Sequence, residues 1–169
     1  DEYRYILGTR GKKPLICIGI NPSTAAPEHL DNTLKSVERI AHFNGFDSFI
    51  MFNLYPQRAT DPDDMEKTCN AYLHAENCKA FEYALNLSET GNTPAVWAAW
   101  GAIIEKRRYL FECVGDMVKI GQKYGVNWFT AGKRSKVGHP PHPLYLPKDS
   151  LLEPFDPIPY IDTFLAPTL

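Results

Sequence analysis

The sequence predicts a single α/β domain built around a short, mainly parallel sheet of four strands. Four runs have the composition of strands, the first of them continuously apolar, and each interval between them is long enough for a helix. These runs are residues 14–20, 48–54, 95–100 and 126–130. Continuous apolar runs are typical of strands that are covered on both faces. Strands that alternate with helices of ten or more residues form βαβ units, in which neighbouring strands are parallel.

Composition places the chain among soluble globular proteins. Its 169 residues fit one domain, with 44% hydrophobic and 22% charged residues. No apolar run approaches the ~20 residues that span a bilayer, and residues 1–10 do not resemble a signal peptide. We therefore expect a cytoplasmic protein with no membrane partner. The net charge of −2 argues against the broad basic surface of a non-specific duplex binder.

The cysteines predict free thiols rather than a disulfide framework or a zinc site. They are Cys17, Cys69, Cys78 and Cys113, and no two of them form a C-x-x-C pair. Three lie on apolar faces of predicted elements, as buried thiols in a reducing compartment do. We expect neither a metal nor a cofactor.

In the first half of the chain, a short strand over residues 3–8 precedes the first buried run. A polar turn at residues 21–24 ends that run. Apolar residues then recur at helical spacing, and Asp31 or Asn32 can cap this helix at its start. Gly45 is expected to end it.

In the second half, residues 61–64 (DPDD) predict a helix start, with a cap, a proline and acidic residues in the first turn. This helix is expected to run to about Leu87, with an interruption near His74 as the alternative. A further helix is predicted over 103–124. Residues 133–147 form a loop rich in Gly, Pro and His, and the proline-rich tail 151–169 is expected to pack on the surface with at most one short helix.

The most unusual chemistry in the sequence falls at the ends of the predicted strands. The carboxyl ends of parallel strands meet at one edge of a sheet, where ligands of open α/β proteins bind. Four segments follow the strands directly: 21–24, 53–58, 100–101 and 131–145. We therefore expect these segments to form one site for a small molecule or a nucleobase.

The first of these segments offers amide and hydroxyl groups. Gly19 lets a ligand approach the backbone, and Asn21 supplies both donors and an acceptor. Ser23 and Thr24 can bind a phosphate, or they can simply stabilise a local turn.

At the end of the second strand, Asn53 can pair with the edge of a base, and Arg58 can bind a phosphate or a carboxylate. The alternative for Asn53 is to satisfy a neighbouring loop. For Trp100, at the end of the third strand, the alternative is a place in the core. The residues expected to contact a substrate are Gly19, Pro22, Ser23, Thr24, Asn53, Tyr55, Arg58, Trp100 and Tyr145.

The loop at residues 138–145 (GHPPHPLY) combines two histidines with three prolines. Prolines stiffen the backbone and so position side chains at low entropic cost. His139 and His142 can each donate to a developing anion or carry a proton near neutral pH. No Asp, Glu or Cys stands at a recognisable metal-ligand spacing from them. The alternative is a structural loop with histidines that face solvent.

Two families share motifs with this sequence. Over nearly the whole chain, it resembles an uncharacterised bacterial family of unknown function. The shared segments are INPSTA (20–25), Asp31-x-Thr33, FNLYPQRATDP (52–62), AWG (99–101) and HPLY (142–145).

The second resemblance is to the uracil-DNA glycosylase superfamily. That superfamily has four motifs in a fixed order, and this sequence has a similar segment for each. Residues 19–22 resemble its G-x-D/N-P motif, and Asn53 resembles its strand-end Asn. Residues 100–101 resemble its W-G motif, and residues 139–144 resemble its H-P-S-P-L motif. This similarity implies a three-layer α/β/α sandwich that hydrolyses the N-glycosidic bond of a nucleobase in DNA or a nucleotide. By the same resemblance, Asn21 would place the attacking water and Asn53 would read the base edge. His142, or else His139, would stabilise the departing base.

The sequence departs from the second family at two places. Asn21 stands where the most active branch has Asp, and the loop lacks the Ser that contacts a DNA phosphate. Asp31 is a candidate to replace the missing acid, unless it only caps the helix. Two other functions remain open: a non-catalytic module that binds a nucleobase or nucleotide, and a phosphate-binding hydrolase or transferase that uses the same strand-end site.

Overall fold

The computed structural model describes residues 7–20, 27–57, 59, 61–89 and 91–165, without the side chains of residues 27–31, 62 and 145. Within that part, the chain forms a mixed α/β fold with a six-stranded, mostly parallel sheet and four α-helices. The strands are β1 (Leu7–Gly8), β2 (Pro14–Gly19), β3 (Ser48–Asn53), β4 (Ala95–Ala98), β5 (Asn127–Ala131) and β6 (Leu152–Pro154). The helices are α1 (Pro27–Phe43), α2 (Ala71–Leu85), α3 (Tyr109–Tyr124) and α4 (Pro157–Leu165).

The order of strands across the sheet is β1-β3-β2-β4-β5-β6. The four predicted buried strands, β2 to β5, pair in parallel, as expected. β1 and β6 pair antiparallel at the two edges, so the sheet has six strands rather than four or five. The sequence does not reveal β6 because its three residues include Glu153 and Pro154, which suit an exposed edge rather than a buried run.

Helices cover both faces of the sheet, and alternate residues of β2 show which helix packs on which face. Leu15 and Cys17 pack with α1 on one side. Ile16 and Ile18 pack on the other side, in a core that includes residues of α2, α3 and α4. This two-sided burial explains why β2 is apolar throughout.

The start of α1 corrects the predicted cap. The helix begins at Pro27, so Asp31 and Asn32 lie inside it rather than at its N-cap. Proline suits the first turn of a helix because its fixed φ is helical and its missing N–H would have had no intrahelical acceptor.

The helix predicted over 61–87 is also divided. It consists of a short 3-10 helix, Pro62–Asp64, and α2, which is capped by the Oδ1 of Asn70. Between them, the Arg107 guanidinium donates to the carbonyl oxygens of Asp63, Met65 and Glu66. Tertiary donors therefore take carbonyls that a continuous helix would have used, and the local helix signal is overridden.

The segment predicted as a surface tail contributes to the sheet and to the core. It forms β6 and α4, and Tyr160 and Ile161 of α4 are buried. The four cysteines are free thiols, as predicted, and burial raises the pKa of Cys17 and Cys113. No helix in the described part of the chain is both long and apolar enough to cross a bilayer.

Candidate functional site

The carboxyl ends of the parallel strands bring together several of the predicted site residues. Gly19 of β2 is the register partner of Asn53 of β3. The segment that follows β4 joins the histidine loop that follows β5, because the Gly101 N–H donates to the Pro140 carbonyl at 2.8 Å. Gly101 has φ +66° and ψ −175°, a conformation that glycine adopts far more easily than other residues. Within the described residues, the ends of β2 and β3 therefore adjoin each other, and the segment after β4 adjoins the loop after β5.

The Asn53 carboxamide lies over the backbone of Gly19. A Cβ atom at Gly19 would come within 3.0 Å of Asn53 Oδ1, closer than ordinary contact. The absence of a side chain at Gly19 therefore leaves space for the Asn53 amide. Asn53 is partly exposed at the end of β3. An amide there offers both a donor and an acceptor to a ligand.

Asn77 of α2 supports this strand end and was not identified from the sequence. Its Nδ2 donates to the carbonyl oxygens of Asn53 at 2.8 Å and of Leu54 at 3.2 Å. The residue is fully buried, and its Oδ1 has no hydrogen-bond partner among the described residues. The signal in the sequence is its place at helical spacing between Leu73 and Phe81, where a core position would ordinarily be apolar.

Replacing Asn77 with leucine is expected to lower the free energy of unfolding by about 1–3 kcal/mol, because two buried carbonyl oxygens would lose their donor. Urea denaturation measures the change. Lys79→Ala, at an exposed position of the same helix, serves as the matched control and should stay within about 0.5 kcal/mol of the wild type. Equal stability of Asn77→Leu and the wild type would contradict the assigned role.

His142 lies at the surface, at the start of a 3-10 helix, Pro143–Tyr145. Its Nδ1 accepts a hydrogen bond from the Leu144 N–H at 3.1 Å. Although the side chain is exposed, the protein around it removes water from the ring and lowers the pKa of His142. Both features favour the neutral imidazole, with Nδ1 as acceptor and Nε2–H as a free donor.

His139, three residues earlier, is only 2% exposed. Its Nδ1 lies 2.7 Å from the Tyr160 hydroxyl, and its ring stacks on Phe164 with 5.0 Å between centroids. The sequence left open which histidine faces the site. The structure places His142 outward and His139 inside the protein.

A small cavity lies beside these groups, with a volume of about 310 Å³. This is near the lower end of the range for ligand sites, a size that suits a single base rather than a large cofactor. Its lining residues are Trp100, Gly101, Ala102, Ile103, Lys133, Ser135, His139, Pro140, Pro141 and His142. A larger surface cleft of about 860 Å³ lies beside the C-terminal end of α3, but the residues at the carboxyl ends of β2 to β5 do not line it.

Some predicted contact residues lie elsewhere. Tyr55 is fully buried; its hydroxyl donates to Glu66 Oε2 at 2.6 Å and accepts from the Asn70 N–H. Trp100 borders the cavity but is only 1% exposed, so most of the ring belongs to the core. Several candidates lie outside the described residues: Asn21, Pro22, Ser23, Thr24, Arg58 and the side chains of Asp31 and Tyr145.

Residues 4–144 match the model of a family described as a protein of unknown function (DUF1643). The chain belongs to the DUF1643 family. This confirms the resemblance to an uncharacterised family that the sequence motifs indicated. The match ends within the HPLY motif, so β6 and α4 lie beyond the matched residues. Neither a comparison with curated proteins nor one with solved structures gave a significant match.

Proposed function

We propose that this DUF1643 protein binds a nucleobase at the carboxyl edge of its sheet and hydrolyses the N-glycosidic bond of that base. The observation that carries the proposal is the state of His142. Its Nδ1 is occupied by a backbone N–H, which leaves Nε2–H as a donor at the rim of a base-sized cavity. The coverage of both sheet faces fits the three-layer α/β/α sandwich of the uracil-DNA glycosylase superfamily.

The chemistry needs a donor of this kind. When the bond between C1′ and the base nitrogen breaks, its electron pair stays on the base, and water adds to C1′ with loss of a proton. Positive charge develops on the sugar and negative charge on the base. A neutral imidazole that donates from Nε2 to a base oxygen stabilises the departing anion without first having to be protonated.

Asn53 is suited to reading the edge of the base. Its carboxamide lies beside Gly19 of β2, and β2 is the direct neighbour of β4, the strand that leads to Gly101. The amide is therefore on the same edge of the sheet as the cavity that His142 lines, although it does not itself line that cavity.

Replacing Asn53 with alanine is expected to weaken nucleobase binding about tenfold, because an amide that pairs with the base would lose both its donor and its acceptor. The measurement is the Kd for free bases, or KM where base release is observed. Asn127→Ala is the control, since Asn127 is exposed at the opposite end of a parallel strand. An equal Kd for Asn53→Ala and the wild type would remove Asn53 from the site.

A basic loop beside the cavity favours substrates that carry phosphates. Lys133, Arg134 and Lys136 are exposed, and none of them forms an ion pair with a carboxylate among the described residues. Lys133 also lines the cavity. Arg134 packs over the Phe155 ring, but no described carboxylate neutralises any of the three, so these cations can attract the phosphate of a nucleotide or of DNA despite the net charge of −2.

The test is release of free base from single-stranded and duplex oligonucleotides that contain uracil, hypoxanthine or a mismatch, and from the matching nucleotides. Release by the wild-type protein supports the proposal. No release from any substrate, by protein shown to be folded, would contradict it.

One observation favours a second candidate, a nucleobase-binding module without catalysis. Among the described residues, Glu105 is the acidic residue that contacts the histidine loop. Its carboxylate lies beside His139 rather than His142. A general base for water is thus not in evidence within the described part of the site. Binding of free bases by calorimetry, together with no base release, would support this candidate.

A further inference from the structure

A buried chain of polar groups links the sheet edge to the C-terminal helix. The Trp100 Nε1–H donates to the Tyr160 hydroxyl oxygen at 2.9 Å, and that hydroxyl lies 2.7 Å from His139 Nδ1. On the other side of the imidazole ring, Nε2 lies 3.2 Å from Glu105 Oε2. Trp100, His139 and Tyr160 are each at most 6% exposed, so water does not replace these contacts.

The direction of these hydrogen bonds fixes the proton on His139. The indole N–H of Trp100 can only donate, so the Tyr160 oxygen accepts from it. If His139 Nδ1 carried a proton, the same oxygen would accept twice, and its own hydroxyl proton would have no acceptor among the described residues. The Tyr160 hydroxyl therefore donates to Nδ1, and the ring carries its proton on Nε2, close to the Glu105 carboxylate. That last contact is electrostatic, since Nε2 does not meet hydrogen-bond geometry.

We propose that Tyr160 is a positioning residue for the site, which fixes the tautomer of His139 and thereby holds the loop that carries His142. This inference rests on the proposed function for its catalytic consequence. Tyr160 belongs to α4, so a residue beyond the matched DUF1643 segment helps to form the site.

The loop is held on both sides of His139. The His139 N–H donates to Ser135 Oγ at 3.0 Å, and the Ser135 N–H donates to the His139 carbonyl oxygen at 3.1 Å. The next residue, Pro140, accepts from Gly101. With the ring fixed by Tyr160, the stiff proline backbone leads directly to His142.

The tautomer can be read from the ring nitrogens in long-range ¹H–¹⁵N spectra, with His139 assigned through His139→Gln. In the wild type we expect an unprotonated Nδ1 and a protonated Nε2. In Tyr160→Phe we expect this preference to be lost and the His142 ring signals to shift as well. Tyr72→Phe, at a tyrosine that is 70% exposed, should change neither ring. A proton on Nδ1 in the wild type, or unchanged rings in Tyr160→Phe, would overturn the proposal.

A second variant covers the case in which Tyr160→Phe does not fold. Trp100→Phe keeps an aromatic ring but removes the N–H that makes the Tyr160 oxygen an acceptor. The tautomer preference of His139 should weaken in this variant too, and an unchanged pattern would count against the proposal.

The catalytic consequence is a fall in kcat. Tyr160→Phe should lower kcat for base release about tenfold with KM within about twofold, as expected when a hydrogen bond that orients the donor is lost. An unchanged kcat would overturn the catalytic part. The ring spectra need no ligand, so they test the role of Tyr160 whether or not the protein releases a base. A wild-type protein that releases no base would count against the proposed function alone.

Discussion

Replacing His142 with alanine is expected to lower the rate of base release about 10²–10³-fold. That is the usual cost of removing one donor aimed at charge that develops in a transition state. Nδ1 of His142 accepts from Leu144, so the ring is held with Nε2–H free, and alanine supplies no substitute. Single-turnover release of base from the best substrate measures the effect directly.

His42→Ala is the matched control, because His42 lies exposed in the last turn of α1. It should leave release unchanged. If His142→Ala and His42→Ala were equally active, the donor role of His142 would be wrong.

The pH profile gives a second test of His142. Desolvation lowers the pKa of this ring from its ordinary value of 6.5, so the neutral form persists to lower pH than in a free histidine. Protonation would also remove the acceptor used by Leu144. We therefore expect release to hold steady as the pH falls through 6.5 and to decline only below it. A decline that His142 governs at or above pH 6.5 would contradict this assignment.

Replacing Trp100 with alanine is expected to lower the free energy of unfolding by about 3–5 kcal/mol, the cost of deleting a large buried aromatic ring. Trp100 is only 1% exposed, and its loss would also leave the Tyr160 hydroxyl without the indole donor. Urea denaturation, with the midpoint and the slope both fitted, measures the loss.

Ile103→Ala is the control, since Ile103 borders the same cavity but is exposed. It should change stability by no more than about 0.5 kcal/mol. A stable Trp100→Ala variant with lost ligand affinity would favour the substrate-contact role that the sequence also allowed.

The mainly parallel sheet was predictable from the sequence because its signal is local. β2, β3 and β4 consist largely of apolar residues, as burial on both faces requires, and β5 keeps buried Trp128 and Ala131 beside its exposed Asn127. Parallel strands also place their carboxyl ends at one edge of the sheet, which is why the segment after β4 could be expected beside the loop after β5, where Gly101 donates to Pro140. Edge strands are harder to predict, since β6 buries too little to need an apolar pattern.

Only the tertiary structure shows that His139 is buried and His142 is exposed. His139 and His142 stand three residues apart in the same proline-rich loop, and the glycosylase resemblance favours His142 without excluding His139. Tyr160 lies 21 residues after His139 in the chain, and its hydroxyl forms a hydrogen bond with Nδ1 of the His139 ring. The tertiary structure likewise shows that Asn70 caps α2 and that Asn77 donates to the carbonyl oxygens of Asn53 and Leu54. Local patterns determine where strands and turns form, but hydrogen-bond partners distant in sequence determine which polar side chains are buried and which are left free to act.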